Sequence, residues 1–283
     1  MLFQKSLDRK LKRIAGGSTD FKDFIIADAK DADMAFGIAA PGPNRAGVCP
    51  HGYDPQQRCY KTLADYQAQI REVIRQQIVD IVLLSASNLE RMAMEEGLFK
   101  NSPITPAARA NDTTDVWAVR QGKYPKAPSR HFRTATLDHI KYGKLETNHR
   151  KPVTGADLGL YSVTFTNNLE WDYRALDAFH DFRIEAEQKQ FRYFLEVFNP
   201  NVDPGIDPAE VGGFLNDCIV RCLAGVTDAG RPLFLKIPYN GPGPLEELVS
   251  YDPNLVVGIL GGSAGTTLDA FQLIHDAQKY GAK

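Results

Sequence analysis

Lys236 stands in the middle of an apolar run, Leu233-Phe234-Leu235-Lys236-Ile237-Pro238. Pro and Gly turn signals bound it within RPLFLKIPYNGPGP, which reads as a short buried strand of a parallel sheet. An ammonium group in such a strand costs several kcal/mol of desolvation unless it is paired or neutralised. Removal from water favours the neutral amine, the form that attacks a carbonyl carbon. The competing reading is an edge-strand lysine whose stem is buried and whose head reaches water. Glu196 lies in the preceding strand run, Tyr193 to Phe198, and is also flanked by apolar residues. If the two strands are neighbours, the pair is either a structural ion pair or a proton shuttle beside an amine nucleophile.

Other polar residues stand where strand runs end: Asp28, Ser85, Asn167, Asn199 and Tyr239. Reactive side chains of an α/β barrel gather at those carboxyl ends. Asp28 closes the run Phe24-Ile25-Ile26-Ala27-Asp28, with Lys30, Asp31 and Asp33 next along the chain. The segment GGSAGT follows the apolar run Leu255 to Leu260 and opens a helix. There Gly261, Gly262, Ser263 and Gly265 offer backbone N–H groups to a phosphate or another anion. A plain tight turn would account for two of those glycines. Cys49, His51 and Cys59 are soft metal ligands, but no fourth ligand or standard spacing accompanies them, so a loop with reduced thiols is expected. Cys218 and Cys222 read as small core fillers on one helix.

The elements that must position these groups alternate. Apolar strand runs fall at Phe24–Asp28, Val79–Leu84, from Ile104, Leu158–Thr166, Tyr193–Phe198, around Lys236, and Leu255–Leu260. Helical periodicity fills the gaps, with a capping pair at Thr62 and Asp65 and a start signal at Asp207-Pro208-Ala209-Glu210. The last helix, Leu268 to Lys279, shows Leu268, Phe271, Ile274 and Ala277 as its stripe. Residues 1–20 read as an N-terminal amphipathic helix, and 88–151 as an extended excursion, either a lid or a subunit contact. Strand–helix alternation implies right-handed crossovers and a parallel sheet. An eighth strand would begin at Gly281-Ala282-Lys283, so the expectation is one domain over 1–283, a (β/α)8 TIM barrel truncated before or within its eighth strand.

Composition narrows the function classes. A net charge of -2 over 283 residues leaves no footprint for nucleic acid or an anionic membrane. No apolar run approaches the roughly 18 residues of a membrane span, and no signal-peptide core is present. A small-molecule partner and a cytoplasmic setting are expected; a homo-oligomer is left open.

Three stretches carry a resemblance: FIIADAKDADMAFG, LFLKIPY and VVGILGGSAGTTLDAFQLIHDAQKYGA. In element order the chain resembles the class I, Schiff-base aldolases of the DeoC/LacD/fructose-bisphosphate aldolase superfamily. The resemblance implies an aldolase-type barrel, a lyase acting on a ketose, ketose phosphate or keto acid, and no metal or organic cofactor, because the imine is the electrophile. It makes Lys236, on strand six, the imine-forming lysine. It makes Asp28 the acid at the end of strand one, with Asp31 and Asp33 as rivals. Glu196 and Tyr239 are the further proton-transfer candidates, and Lys30 the alternative lysine. Two departures stand out. Relatives with a tyrosine at the end of strand four meet FTNN here, and the family's second phosphate-binding glycine segment has no counterpart. The same residues also admit a non-catalytic ligand-binding barrel, or a metal-independent isomerase or epimerase with Glu196 as base.

Overall fold

The computed structural model describes residues 4–18, 20, 23–44, 59–146, 148, 150–261 and 267–283. The first part of the chain runs α1 (Ser6–Ala15), β1 (Ala27–Lys30), α2 (Ala32–Phe36), α3 (Leu63–Gln76), β2 (Ile81–Leu84), α4 (Ala86–Leu89) and β3 (Thr105–Arg109). Next come β4 (Asp112–Thr113), β5 (His131–Phe132), α5 (Leu137–Tyr142), β6 (Leu158–Thr164) and α6 (Leu169–Gln188). The chain finishes with β7 (Arg192–Phe198), α7 (Val211–Leu223), β8 (Leu235–Ile237), α8 (Pro242–Tyr251), β9 (Val257–Ile259) and α9 (Thr267–Tyr280).

Seven strands form one parallel sheet in the order β1-β2-β3-β6-β7-β8-β9, and β4 and β5 pair antiparallel outside it. Helical segments lie between successive sheet strands, which is what a parallel pair requires of its connection. Alternation along each strand then sorts the side chains into two layers. Val82, Leu84, Tyr161, Val163, Leu195, Val197, Leu235 and Ile237 face the helices and join the large core cluster. Ile81, Leu83, Ala107, Leu158, Leu160, Phe194 and Phe234 face the other way and form a smaller cluster with Leu7 of α1.

That second cluster exists because the sheet curls round on itself. Its two edge strands, β1 and β9, border one cavity of about 920 Å³. At one end of this seam Lys283 donates its N–H to the carbonyl of Val257 (2.6 Å), and its carbonyl accepts from the N–H of Ile25 (3.0 Å). Ala282 and Lys283 therefore sit where the sequence places the start of an eighth strand. No eighth strand is formed among the described residues.

Helix α1 supports the strand ends opposite the polar ones. Lys5 Nζ donates to the carbonyls of Phe99, Ser102 and Ile104 at 2.7–2.9 Å. Lys10 pairs with Asp80 at 2.6 Å, and Asp80 also accepts from the Ile26 N–H. Three ammonium donations and one partly buried ion pair thus tie the helix to the starts of β1, β2 and β3.

Several expectations need correction. The first strand begins at Ala27, three residues later than the apolar run suggests, and Ile26 is half exposed. Pairing with β2, in which Ala27 to Lys30 oppose Ile81 to Leu84, outweighs the local hydrophobicity of Phe24 to Ile26. Three members of the stripe named on α9, Leu268, Phe271 and Ile274, are exposed; its fourth, Ala277, is buried, together with Leu273. A 3.6-residue period supports both stripes, and contact with the sheet selects one. The stretch 88–151 contains a central strand, β3, and a folded hairpin of β4 and β5. Ser129 and Thr164 both donate to Asp115, at 2.7 and 3.0 Å, tying this hairpin to the carboxyl end of β6. Cys59 is disulfide-bonded, against the expectation of reduced thiols; Cys49 and His51 lie outside the described residues. Four cysteines are too few for a framework, but a single bridge needs only two that approach, which spacing does not reveal. The cytoplasmic expectation leaned on those thiols and loses that support. No helix among the described residues is long and apolar enough to cross a membrane.

Candidate active site

Glu196 and Lys236 are register partners at the centres of β7 and β8. Partners in a parallel pair point to the same face, so both side chains enter the interior of the curl. Lys236 Nζ lies 2.5 Å from Glu196 Oε1; Glu196 is 1% exposed and Lys236 23%. On the other flank of Lys236 the register partner is Gly258 of β9, which has no side chain to fill the space. The lysine is therefore held from one side and borders the large cavity on the other.

Glu196 is held in turn. Ser162, its register partner on β6, donates its hydroxyl to Glu196 Oε2 at 2.7 Å. Arg109 at the end of β3 donates to the same hydroxyl at 3.1 Å and places its second terminal nitrogen 3.7 Å from Glu196 Oε2. Arg109 is anchored by Asp31, whose carboxylate lies 2.5 Å from Nε. Burial alone would lower the guanidinium pKa; the charges of Asp31 and Glu196 outweigh it and raise it above its ordinary value. Asn111 completes the frame, accepting from the Ser162 N–H at 2.6 Å and donating to its carbonyl at 2.8 Å. This side chain continues the β3–β6 ladder beyond its last paired rung, Arg109 with Leu160.

Two further acids lie close by. Burial raises Asp112 to about 6, against the opposing charge of Arg109, which stands 3.9 Å away. Burial also raises Asp33, although Ser85 (2.6 Å) and Asn88 (3.0 Å) donate to it. No group of three or more His, Cys, Asp or Glu side chains arranged to hold a metal occurs among the described residues.

The structure brings Glu196 and Lys236 together as the alternation of strands suggested. Asp28 stands outside these hydrogen bonds but borders the same cavity as Lys236; it opposes Val82 and pairs with Lys30 at 3.2 Å. The late start of β1 moves the strand-end acid to Asp31, the rival assignment, which closes the network through Arg109. Tyr239 is also outside it: its hydroxyl bonds Asp276 of α9, and burial with that partner pushes it up to about 12. Gly261 borders the cavity, whereas Gly262, Ser263 and Gly265 lie outside the described residues. Ser85 binds Asp33, and Asn199 exchanges hydrogen bonds with Asn240. Asn167 donates to the carbonyl of Pro204. The sequence reading did not single out Arg109, Asn111, Ser162 or Asp112. The signal for the first, second and last was present, because ARANDTTD is a dense polar run after an apolar strand. Ser162 carries no such signal; only its register with Glu196 marks it.

No family model matches the chain, and no curated protein matches it. The fold is similar to that of Cgl0159 from Corynebacterium glutamicum (Brevibacterium flavum), a structural-genomics target. The two are 16% identical with a TM-score of 0.54, over 96% of this chain and 85% of that one. At such identity the likeness is one of fold alone. The chain is an α/β protein built on a curled, seven-stranded parallel sheet.

Proposed function

We propose that the protein is a class I lyase of the aldolase type, its curled sheet a (β/α)8 barrel in kind, and that Lys236 forms a Schiff base with a ketose, ketose phosphate or keto acid. One observation carries the reading: an amine held 2.5 Å from a nearly fully buried carboxylate, with its other side on a cavity of about 920 Å³.

In this reading Lys236 passes a proton to Glu196 Oε1, and the neutral nitrogen attacks the substrate carbonyl from the open, Gly258 side. The carbonyl π electrons move to oxygen, which takes one proton from the attacking nitrogen and one from Glu196 and leaves as water, producing the iminium and restoring the Glu196 carboxylate. The substrate's β-hydroxyl then gives its proton to Glu196 as its oxygen forms a carbonyl; the bond between the α and β carbons breaks, its electron pair flowing into the iminium to give an enamine while the β-side fragment leaves as an aldehyde. Glu196 returns its proton during protonation of the enamine or hydrolysis of the imine. Asp28, on the same cavity, stays the further proton-transfer candidate, while Asp31 acts on this centre through Arg109. Gly261 to Gly265 remain the segment assigned, by sequence pattern, to an anionic end of the substrate.

Borohydride reduction with a panel of ketoses, ketose phosphates and keto acids tests this, read by intact and peptide mass. A ligand mass on the Lys236 peptide is the expected result. If no compound is trapped while one still raises the melting temperature, the imine is abandoned. A ligand-binding barrel, or an isomerase with Glu196 as base, then replaces it.

A further inference from the structure

We propose that Ser162 and Arg109 are positioning residues that confine proton exchange with Lys236 to one oxygen of Glu196. Hydrogen-bond chemistry sets the direction of this chain. A guanidinium has donors and no acceptor, so Arg109 can only donate to Ser162 Oγ. The single hydroxyl proton of Ser162 is thereby turned towards Glu196 Oε2, 2.7 Å away. With Oε2 occupied by that donor and faced by Arg109 at 3.7 Å, Oε1 is left for the amine at 2.5 Å. A proton that leaves Lys236 arrives on Oε1 and stays within reach of the nitrogen.

The parts of this device come from three places that the fold alone brings together. Asn111 clamps the backbone of Ser162 through both its N–H and its carbonyl, fixing the hydroxyl at the level of Glu196. Asp31 anchors Arg109 from the other side at 2.5 Å, so the guanidinium is shared and not captured by Glu196. Ser162 is fully buried, which keeps water from replacing either hydrogen bond. The charged groups facing Glu196 are Lys236 from β8 and Arg109 from β3, with Asp31 and Asp112 beyond Arg109.

The inference rests on the proposed chemistry only for its catalytic readout, so it is tested first without substrate. Acetic anhydride labels amines in proportion to their neutral fraction, and Lys236 labelling is read by peptide mass across pH. In Ser162→Ala the carboxylate is no longer held towards the ammonium. Lys236 labelling at fixed pH should rise by roughly a factor of ten, the scale of one hydrogen bond to a charged group, with the whole profile moving to lower pH. Ser162→Thr keeps the hydroxyl and should restore the profile; if it fails to fold, Ser162→Ala decides alone. An unchanged profile in a folded Ser162→Ala protein overturns the inference. Borohydride trapping is the second readout. If the wild type is trapped, Ser162→Ala should be trapped at a different rate and with a displaced pH dependence, and an unchanged rate and dependence count against the positioning role. If the wild type is not trapped at all, the lyase reading fails while the labelling result still stands.

Discussion

β7 and β8 carry two facing pairs, one rung apart on the same side of the sheet. Phe194 and Phe234 stack with ring centroids 4.7 Å apart. Two residues further along each strand, Glu196 and Lys236 meet at 2.5 Å. Strand geometry, partner and curl are shared, and Phe194 and Glu196 are each 1% exposed. What differs is the side chain, and with it the sign of the free-energy balance. Stacked rings gain from leaving water. A carboxylate and an ammonium lose hydration and recover it only through each other and through Ser162 and Arg109. The lower pair stabilises the fold, while the upper one is retained at a desolvation cost that a structural role alone does not require.

The contrast can be broken by mutation. Lys236→Met should keep the fold but lower the melting temperature, because it leaves the buried Glu196 with only Ser162 and Arg109 to offset its desolvation. Trapping should vanish, and turnover of any compound trapped by the wild type should fall by roughly 10³-fold or more. Retained turnover would remove Lys236 from the chemistry. Phe194→Ala should instead spare the chemistry, costing about 3 kcal/mol or more in denaturant unfolding while Lys236 is still trapped. Loss of trapping in a folded Phe194→Ala protein would show that the two rungs do not act separately.

A pH dependence sharpens the same comparison. Asp112 has its folded pKa raised by burial, to about 6, above its unfolded value near 3.8. The native state therefore holds a proton that the unfolded state has lost between about pH 4 and 6, so stability falls as pH rises through that window. The shift corresponds to a loss of about 2–3 kcal/mol between pH 4 and pH 7. Asp112→Asn should flatten this limb, as read from unfolding midpoints across pH. A slope that survives intact would place its origin elsewhere, with Asp33, also raised by burial, the next residue to replace. The smallest effect is expected at Tyr239, whose hydroxyl serves Asp276 on the far side of the sheet. Tyr239→Phe should cost about 1 kcal/mol and leave trapping unchanged; a clear fall in trapping would bring Tyr239 back into the site.

Much of the framework was legible because local physics is strong there. The Thr62–Asp65 capping box forms as its spacing predicts, and α3 begins at the next residue, Leu63. The seven sheet strands fall on the seven apolar runs, with an offset at the first. At the site, Glu196 and Lys236 were legible because a charge amid apolar residues is conspicuous wherever it pairs. Asp28 stands outside the hydrogen-bonded network because ladder pairing carries β1 on to Lys30 and leaves Asp31 at the strand end, although Asp28 still borders the cavity.

The sequence by itself determined a parallel strand–helix alternation and an acid and an amine on consecutive buried strands, because periodicity and burial cost act within a few residues. The tertiary structure decided which acid closes strand one, which stripe of α9 is buried, and that Arg109, Ser162 and Asn111 converge on Glu196. Those outcomes depend on register and curl, which bring together residues 34 to 78 positions apart in the chain, such as Ser162 and Glu196 or Asp31 and Arg109. No local pattern encodes a contact whose two halves are that distant, and the hydrogen bonds that define this site are of that kind.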